Sequence, residues 1–254
     1  MKVWLSIDFD YFVREPREWD HDEGHNTKVW AQRFRASAKR GKSLRREMDP
    51  NVFAMPTPRE FWDRIAALGY DLRKVKTLCL ADSHAWARDF FCEPITPADA
   101  ESERLMVHFD THHDLGYHNT PLKLSRITNF DCENWQLAVL QHYPSLRSKV
   151  VYPPWRGLDE MHHHSKWCAL DDISRRVTIG AFADEYVHLP PGYEVDAVFL
   201  CRSPAWTPPW LDMEFKKFVE LLKMHAPGVA IVRPFMNEVE EMDPLQVRTW
   251  IDPV

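Results

Sequence analysis

The stretch Leu105-Met-Val-His-Phe-Asp-Thr-His-His-Asp114 decides how this chain is read. Leu105 to Phe109 is a short apolar run with β-branched and aromatic content, the length of a buried strand and too short for a buried helix. It stops abruptly in acids and imidazoles, and strand ends are where open α/β sheets place their binding residues. Six more runs of this kind flank it: Val3 to Ile7, Val75 to Leu80, Lys149 to Tyr152, Val177 to Ala181, Ala197 to Cys201 and Val229 to Val232. Helical stretches lie between them. Thr57-Pro-Arg-Glu60 supplies a cap, a first-turn proline and the acid of a capping box, ahead of Phe61, Trp62, Ile65, Ala66 and Leu68, with Gly69 as the stop. Leu211 to His225 carries Phe215, Phe218, Val219 and Leu222 at helical spacing. Strands alternating with helices predict an α/β fold with a mostly parallel central sheet and helices on both faces. A single domain over 1–254 is expected, with an irregular basic excursion around 14–55.

The chain has 254 residues, 32 Lys and Arg against 38 Asp and Glu, a net charge of -6 and 44% hydrophobic residues. That suits one medium domain with a sizeable core. A mean hydropathy of -0.46, with no apolar run near the ~18–20 residues of a membrane span, argues against a transmembrane helix. The opening Met-Lys-Val-Trp-Leu-Ser-Ile-Asp8 lacks the apolar core of a secretory signal, so a cytoplasmic chain is expected, with neither membrane nor nucleic acid as partner. The five cysteines (Cys79, Cys92, Cys132, Cys168, Cys201) are odd in number, scattered and never in a CxxC pair, so they read as reduced thiols. Thirteen histidines and eleven tryptophans exceed what packing asks for. With 8 glycines against 19 prolines, turns around a site must be made largely with Asp, Asn, Ser and Pro.

On an extended segment Asp110, His112 and Asp114 would point to one side. Ionisable groups gathered at the end of a buried strand need positive charge, and a metal ion supplies it. A second apolar strand, Leu5-Ser-Ile-Asp8-Phe-Asp10, ends in acids two apart, and Leu80-Ala-Asp82-Ser-His84 puts a histidine at a third strand end. Asp8 could equally be the nucleophile of a haloacid-dehalogenase-type phosphatase, but Phe12 stands where that family wants a small Thr or Val. Together these strings form an oxygen-rich, nitrogen-poor donor set suited to a pair of divalent first-row ions such as Mn²⁺. Two such ions can share a hydrolytic water. With four aspartates, two divalent ions and one hydroxide, the net charge is slightly negative and favours a cationic, planar electrophile.

Asp110-Thr-His-His-Asp114 resembles the Asp-x-His-x-Asp signature of the arginase/agmatinase (ureohydrolase) superfamily. Ser6-Ile-Asp8-Phe-Asp10 resembles that family's Ser-Phe-Asp-x-Asp strand, and Asp82-Ser-His84 its Gly-Gly-Asp-His turn shifted by one residue. The resemblance covers these motifs and the α/β plan. It implies a three-layer, arginase-like fold and a centre of two Mn²⁺ per chain held by Asp8, Asp10, His84, Asp110, His112 and Asp114, with Asp8 and Asp110 bridging. In typical arginases the Asp-x-Asp strand follows the Asp-x-His-x-Asp strand. Here it opens the chain, which implies a permuted strand order. The related histone deacetylases hold one zinc and carry glycine after their His-His pair, where this chain has Asp114; a single-metal deacetylase or amide hydrolase is the alternative on this scaffold.

The N-terminal strand, the His-Phe-Asp-Thr-His-His-Asp string, the segment Glu133-Asn134-Trp135 and the loop Cys201-Arg202-Ser203-Pro204 are together similar to a divergent group that includes the peptide arginases of ribosomal peptide natural-product pathways. That resemblance implies conversion of arginine in a precursor peptide to ornithine with release of urea. Cys201 occupies the place of the family's guanidinium-binding glutamate. The gripping carboxylate must then come from Asp20, Asp22 or Glu23 in Trp19-Asp-His-Asp-Glu-Gly-His25, or from Glu133. The candidate substrate-binding set is Asp20, Glu23, His25, Glu133, Asn134, Arg202, Ser203 and Trp206, the last in one of two Pro- and Trp-rich strand-end loops, Val151 to Gly157 and Ser203 to Trp210. His113, His118 and Asp114 are the candidates for proton transfer. His162-His163-His164 reads as surface, because consecutive histidines fan apart. Lys28 to Arg46 holds eight basic residues and no acid; such a run is ordinarily a solvated face, and it would also suit an acidic leader peptide.

Overall fold

Along the first strand Val3, Leu5 and Ile7 alternate with Trp4, Ser6 and Asp8, and this alternation divides the molecule. In a computed structural model, which describes residues 1–14, 48–92, 102–116, 129–156 and 171–232 together with 30, 32, 33, 35, 36, 39, 41 and 46, the first set joins a core with Phe61, Trp62, Phe215 and Phe218. Trp4 joins a second core with Phe91, Met106, Trp135 and Leu140. Between the two cores the described residues form one sheet of seven strands: β1 (Lys2–Asp8), β2 (Thr77–Ala81), β3 (Arg104–Phe109), β4 (Arg147–Tyr152), β5 (Val177–Ala181), β6 (Glu194–Cys201) and β7 (Ala230–Ile231). Every pairing is parallel, in the order β5-β4-β3-β1-β6-β2-β7. The α/β class and all seven expected strands are therefore present. β6 starts three residues earlier than the apolar run because Glu194 pairs with Lys2 and donates its N–H to the Met1 carbonyl.

Four longer helices cover the sheet: α1 (Phe61–Ala67), α2 (Ala85–Cys92), α3 (Trp135–His142) and α4 (Asp212–His225). The large buried apolar side chains of α1 and α4 belong to the Val3 core, and those of α2 and α3 to the Trp4 core, so helices pack on both faces. None of the helices among the described residues is long and apolar enough to cross a membrane. Inside the 14–55 stretch the described residues include the helical turn Pro50–Phe53, capped by Asp49. The aromatic load is used in packing: Trp62 stacks on Phe218 with centroids 4.7 Å apart and donates its indole N–H to the Phe218 carbonyl at 2.9 Å.

β1 stands at the centre of the sheet. From it the chain goes to β2 on one side, while β3 leads to β4 and β5 on the other. The change of direction falls between β1 and β3, and such a switch opens a crevice beyond the C-terminal strand ends.

Helix α1 starts at Phe61, three residues past Pro58, the expected first residue, with Glu60 as its N-cap, and it ends as its sequence indicates. The Glu60 carboxylate accepts from the Thr57 N–H and hydroxyl at 3.2 and 2.8 Å, one half of the expected capping box. At the other end Tyr70 N–H donates to the Ile65 carbonyl and Gly69 N–H to that of Ala66, with Gly69 at φ 97°. A Cβ on Gly69 would stand 2.5 Å from the Leu189 carbonyl oxygen. Gly69→Ala is expected to lower stability by at least ~1 kcal/mol, from the left-handed backbone alone; a urea midpoint equal to that of the parent would refute this.

Candidate metal centre

The two strands that carry the acids end in the same way. β1 stops at Asp8, whose Oδ1 accepts the Asp10 N–H at 3.0 Å and starts the 3-10 turn Phe9–Phe12. β3 stops at Phe109, and Asp110 Oδ1 accepts the His112 N–H at 2.8 Å. Each side chain satisfies a backbone donor freed at the strand end. Extended backbone is the expectation at both motifs, and here the structure corrects it. Neither segment stays extended past its first acid, so Asp10, His112 and Asp114 arrive by turning, and His112 and Asp114 reach opposite sides of Asp110.

Three overlapping sets of donor atoms form at this edge, each with all members within 4.8 Å of one another: His84, His108, Asp110 and Asp114; Asp8, His84 and Cys201; Asp10, Asp110 and His112. His84 Nδ1 lies 2.9 Å from Asp8 Oδ2 and 3.7 Å from an oxygen of both Asp110 and Asp114. On the other side His112 Nδ1 is 3.4 Å from Asp10 Oδ2 and 3.3 Å from Asp110 Oδ1. The six residues named from sequence as ligands thus meet at one place. Asp110 belongs to the first and the third set, whereas Asp8 shares a set with His84 and not with Asp10.

These groups could hold metal ions, and two features of the geometry fit that role. Donors about 2.1 Å from a six-coordinate ion sit about 3.0 Å apart along an edge of its polyhedron, close to the spacings here. In addition, the buried Asp10 Oδ1 has no hydrogen-bond partner, which is rare for an interior oxygen.

Electrostatics point the same way. Burial, then the charges of Asp8 and Asp110, raise the Asp10 carboxyl well above the usual carboxylate range. Burial and the Asp110 charge raise that of Asp114. Burial alone would also raise Asp110, but His108 and His112 hold it well below that range. Burial opposes charge on the histidines, yet the facing carboxylates push His108 up to about 10 and His112 well above its ordinary value. Without a cation, protons must supply the positive charge that four buried acids demand.

Neighbouring side chains fix the donors. Ser203 Oγ donates to Asp8 Oδ2 at 2.8 Å, the Trp135 indole N–H to Asp114 Oδ2 at 2.6 Å and Thr111 Oγ1 to Asp10 Oδ2 at 3.0 Å. Ser6 Oγ lies 3.1 Å from His84 Nε2, leaving Nδ1 to face the acids, and the Trp135 ring stacks on His84 with centroids 5.4 Å apart. Among the described residues Asp114 and Ser203 are the non-glycine residues at positive φ, 48° and 54°. This is where a glycine-poor chain uses Asp and Ser for its site turns, at a cost of about 1–2 kcal/mol each that the surroundings must offset.

Other sequence candidates lie elsewhere. His113 is buried with Nδ1 accepting from the Leu115 N–H, and it belongs to none of the three sets. Glu133 is exposed, and Asn134 bonds Asp131 N–H and the Asn129 carbonyl, so it is Trp135 of that segment which reaches the acids. Arg202 is buried, with its guanidinium 2.9 Å from Asp82 and 3.4 Å from Asp212, a tie between the end of β2 and the start of α4. Trp206 flanks the centre, its ring 5.2 Å from that of His112. Cys201 is in the floor beside Asp8 and His84, its thiol pushed up by burial and then by the Asp8 charge. Arg33 donates to the Ala205 carbonyl and covers the Trp30 ring, so this member of the basic run holds the Ser203 to Trp210 loop. Asp20, Asp22, Glu23, His25, His118, His162, His163, His164 and Lys28 lie outside the described residues.

Sequence reasoning missed Ser6, His108 and Trp135. For the first two a signal existed, since Ser6 precedes Asp8 and His108 precedes Asp110 by two positions, on the same face of a strand.

Two outcomes are expected. Because His108 and His112 bind protons more tightly folded than unfolded, their stabilisation is complete below the ordinary histidine range and is lost as pH rises, for His108 toward about 10. Metal-free protein should therefore lose thermal stability between about pH 7 and about pH 9.5, and saturating Mn²⁺ should restore it; a flat metal-free profile would contradict the charge account. Trp135→Phe, which removes the donor to Asp114, should weaken metal binding about 10- to 100-fold by calorimetry with the fold retained. No protein-family model, curated protein or solved structure matches the chain.

Proposed function

We propose that the chain is a binuclear manganese hydrolase on an arginase-like scaffold, acting on the guanidine C–N bond of arginine within a peptide to give ornithine and urea. The observation that carries this reading is the meeting of Asp8, Asp10, His84, Asp110, His112 and Asp114 from three strand ends, with Asp110 common to two donor sets. The strand order supports it. The Asp8/Asp10 strand opens the chain yet lies directly beside β3, so the permuted order of the motifs still juxtaposes them. When bound, two divalent ions would acidify a water and offset the charge that builds up on attack.

The chain's own residues have definable parts in that chemistry. Asp8, His84 and Asp114 would hold one ion and Asp10 and His112 the other, with Asp110 between. Ser203, Trp135, Thr111 and Ser6 lock their orientations. His112 is the part-open member, 18% exposed at the side chain, and marks the side from which substrate approaches. Trp206 there gives a flat wall suited to a planar cation. A phosphatase built on Asp8 leaves Asp110, His112 and Asp114 without a task, and a one-ion amide hydrolase leaves Asp10 without one.

Incubating Mn²⁺-loaded protein with an arginine-containing peptide should yield ornithine at the arginine position with an equivalent of urea, both read by mass spectrometry. Asp110→Asn should abolish it. Absence of product from peptide and free arginine alike would sink the proposal.

A further inference from the structure

His108 is, like Asp10, a fully enclosed ionisable group of the centre. It sits within β3, in register with Ser6 of β1, one row beneath the aspartates, and is 0% exposed. Neither ring nitrogen makes a hydrogen bond. A buried imidazole without a partner is costly and asks for an explanation. Its Nε2 is aimed at the acids, 3.0 Å from Asp110 Oδ2 yet misaligned for a hydrogen bond to it, and 3.6 Å from Asp114 Oδ2, beyond hydrogen-bond reach. Close approach without hydrogen-bond alignment is what donors sharing an ion show, because each lone pair then points at the ion and not at its neighbour. The ring is held there by edge contacts with His84 and Trp135, centroids 5.0 and 5.2 Å away.

We infer that His108 is itself a ligand of the inner ion, so that the two metal positions are unequal. The inner position adds His108 to His84, Asp110 and Asp114, with Asp8 on the same side 2.9 Å from His84 Nδ1, so two imidazoles serve it. The outer position takes Asp10, Asp110 and His112, with one imidazole. More nitrogen donors favour later first-row ions, so the inner position fills first and prefers Co²⁺ or Zn²⁺ over Mn²⁺, while the outer position does not discriminate as strongly. This rests on the metal-centre reading, but not on the choice of substrate.

The test is a Co²⁺ titration of metal-free protein, followed by calorimetry and the ligand-field spectrum, with bound metal counted by elemental analysis. Wild type is expected to bind in two steps. His108→Ala should weaken the tighter step about tenfold or more and leave the weaker one, and His112→Ala should do the reverse. A second measurement needs no substitution. In protein carrying isotopically labelled histidine and loaded with an NMR-active cadmium isotope, direct metal–nitrogen coupling should appear on His84, His108 and His112. Two bound ions with the tight step intact in His108→Ala, or coupling on His84 and His112 without His108, would overturn the inference and leave the two-ion centre standing. Wild type that takes up no metal would overturn both.

Discussion

Asp8, Asp10, Asp110 and Asp114 repel one another, and burial strips away the water that would screen them. Much of the local structure answers that repulsion. Two of the acids spend one oxygen on a backbone N–H of their own turn, which fixes where the other oxygen looks. Ser203, Thr111 and Trp135 each bring a donor to a different acid. Three imidazoles complete the ring. Parallel strands allow this, because all their C-terminal ends share one edge, and the central place of β1 puts acids from two neighbouring strands side by side.

The centre is also lopsided. Its floor, made by Ser6, His108, Cys201 and Phe199, is sealed by the Trp4 core and by α2 and α3. Its mouth is formed by His112 and the Trp206 loop, which Trp30 and Arg33 hold through the carbonyls of Pro204 and Ala205. Residues of the basic excursion are therefore part of the wall around the site, a structural use that stands beside any role in contacting a peptide.

How much of this was legible in the sequence follows from what each residue contributes. The strands could be read because both faces of a covered parallel sheet are apolar, so Val177 to Ala181 or Leu105 to Phe109 stand out as runs. Helix α1 announced itself through Thr57, Glu60 and Gly69, and α4 through its spacing. Helix α3 did not, because Trp135, Leu137, Ala138, Val139 and Leu140 are all buried and no polar face sets a period. His108 was hidden in the same way, a polar residue inside an apolar run whose length alone decides its class. The turns after Asp8 and Asp110 were misjudged as extended because the deciding contact, a side-chain oxygen on the N–H two residues on, leaves no trace in hydropathy. Arg202 looked like a ligand for substrate because its partners, Asp82 and Asp212, are distant in sequence.

The position of β1 has a kinetic side. Its neighbours in the sheet are residues 104–109 and 194–201, so β1 leaves the ribosome well before either of its partners. Until β6 is made, the segment that bears Asp8 and Asp10 presents an unpaired apolar edge, a hazard for association with other chains. The charged turn that serves the site when folded, with acids at the end of that strand, also acts as a gatekeeper while the chain waits.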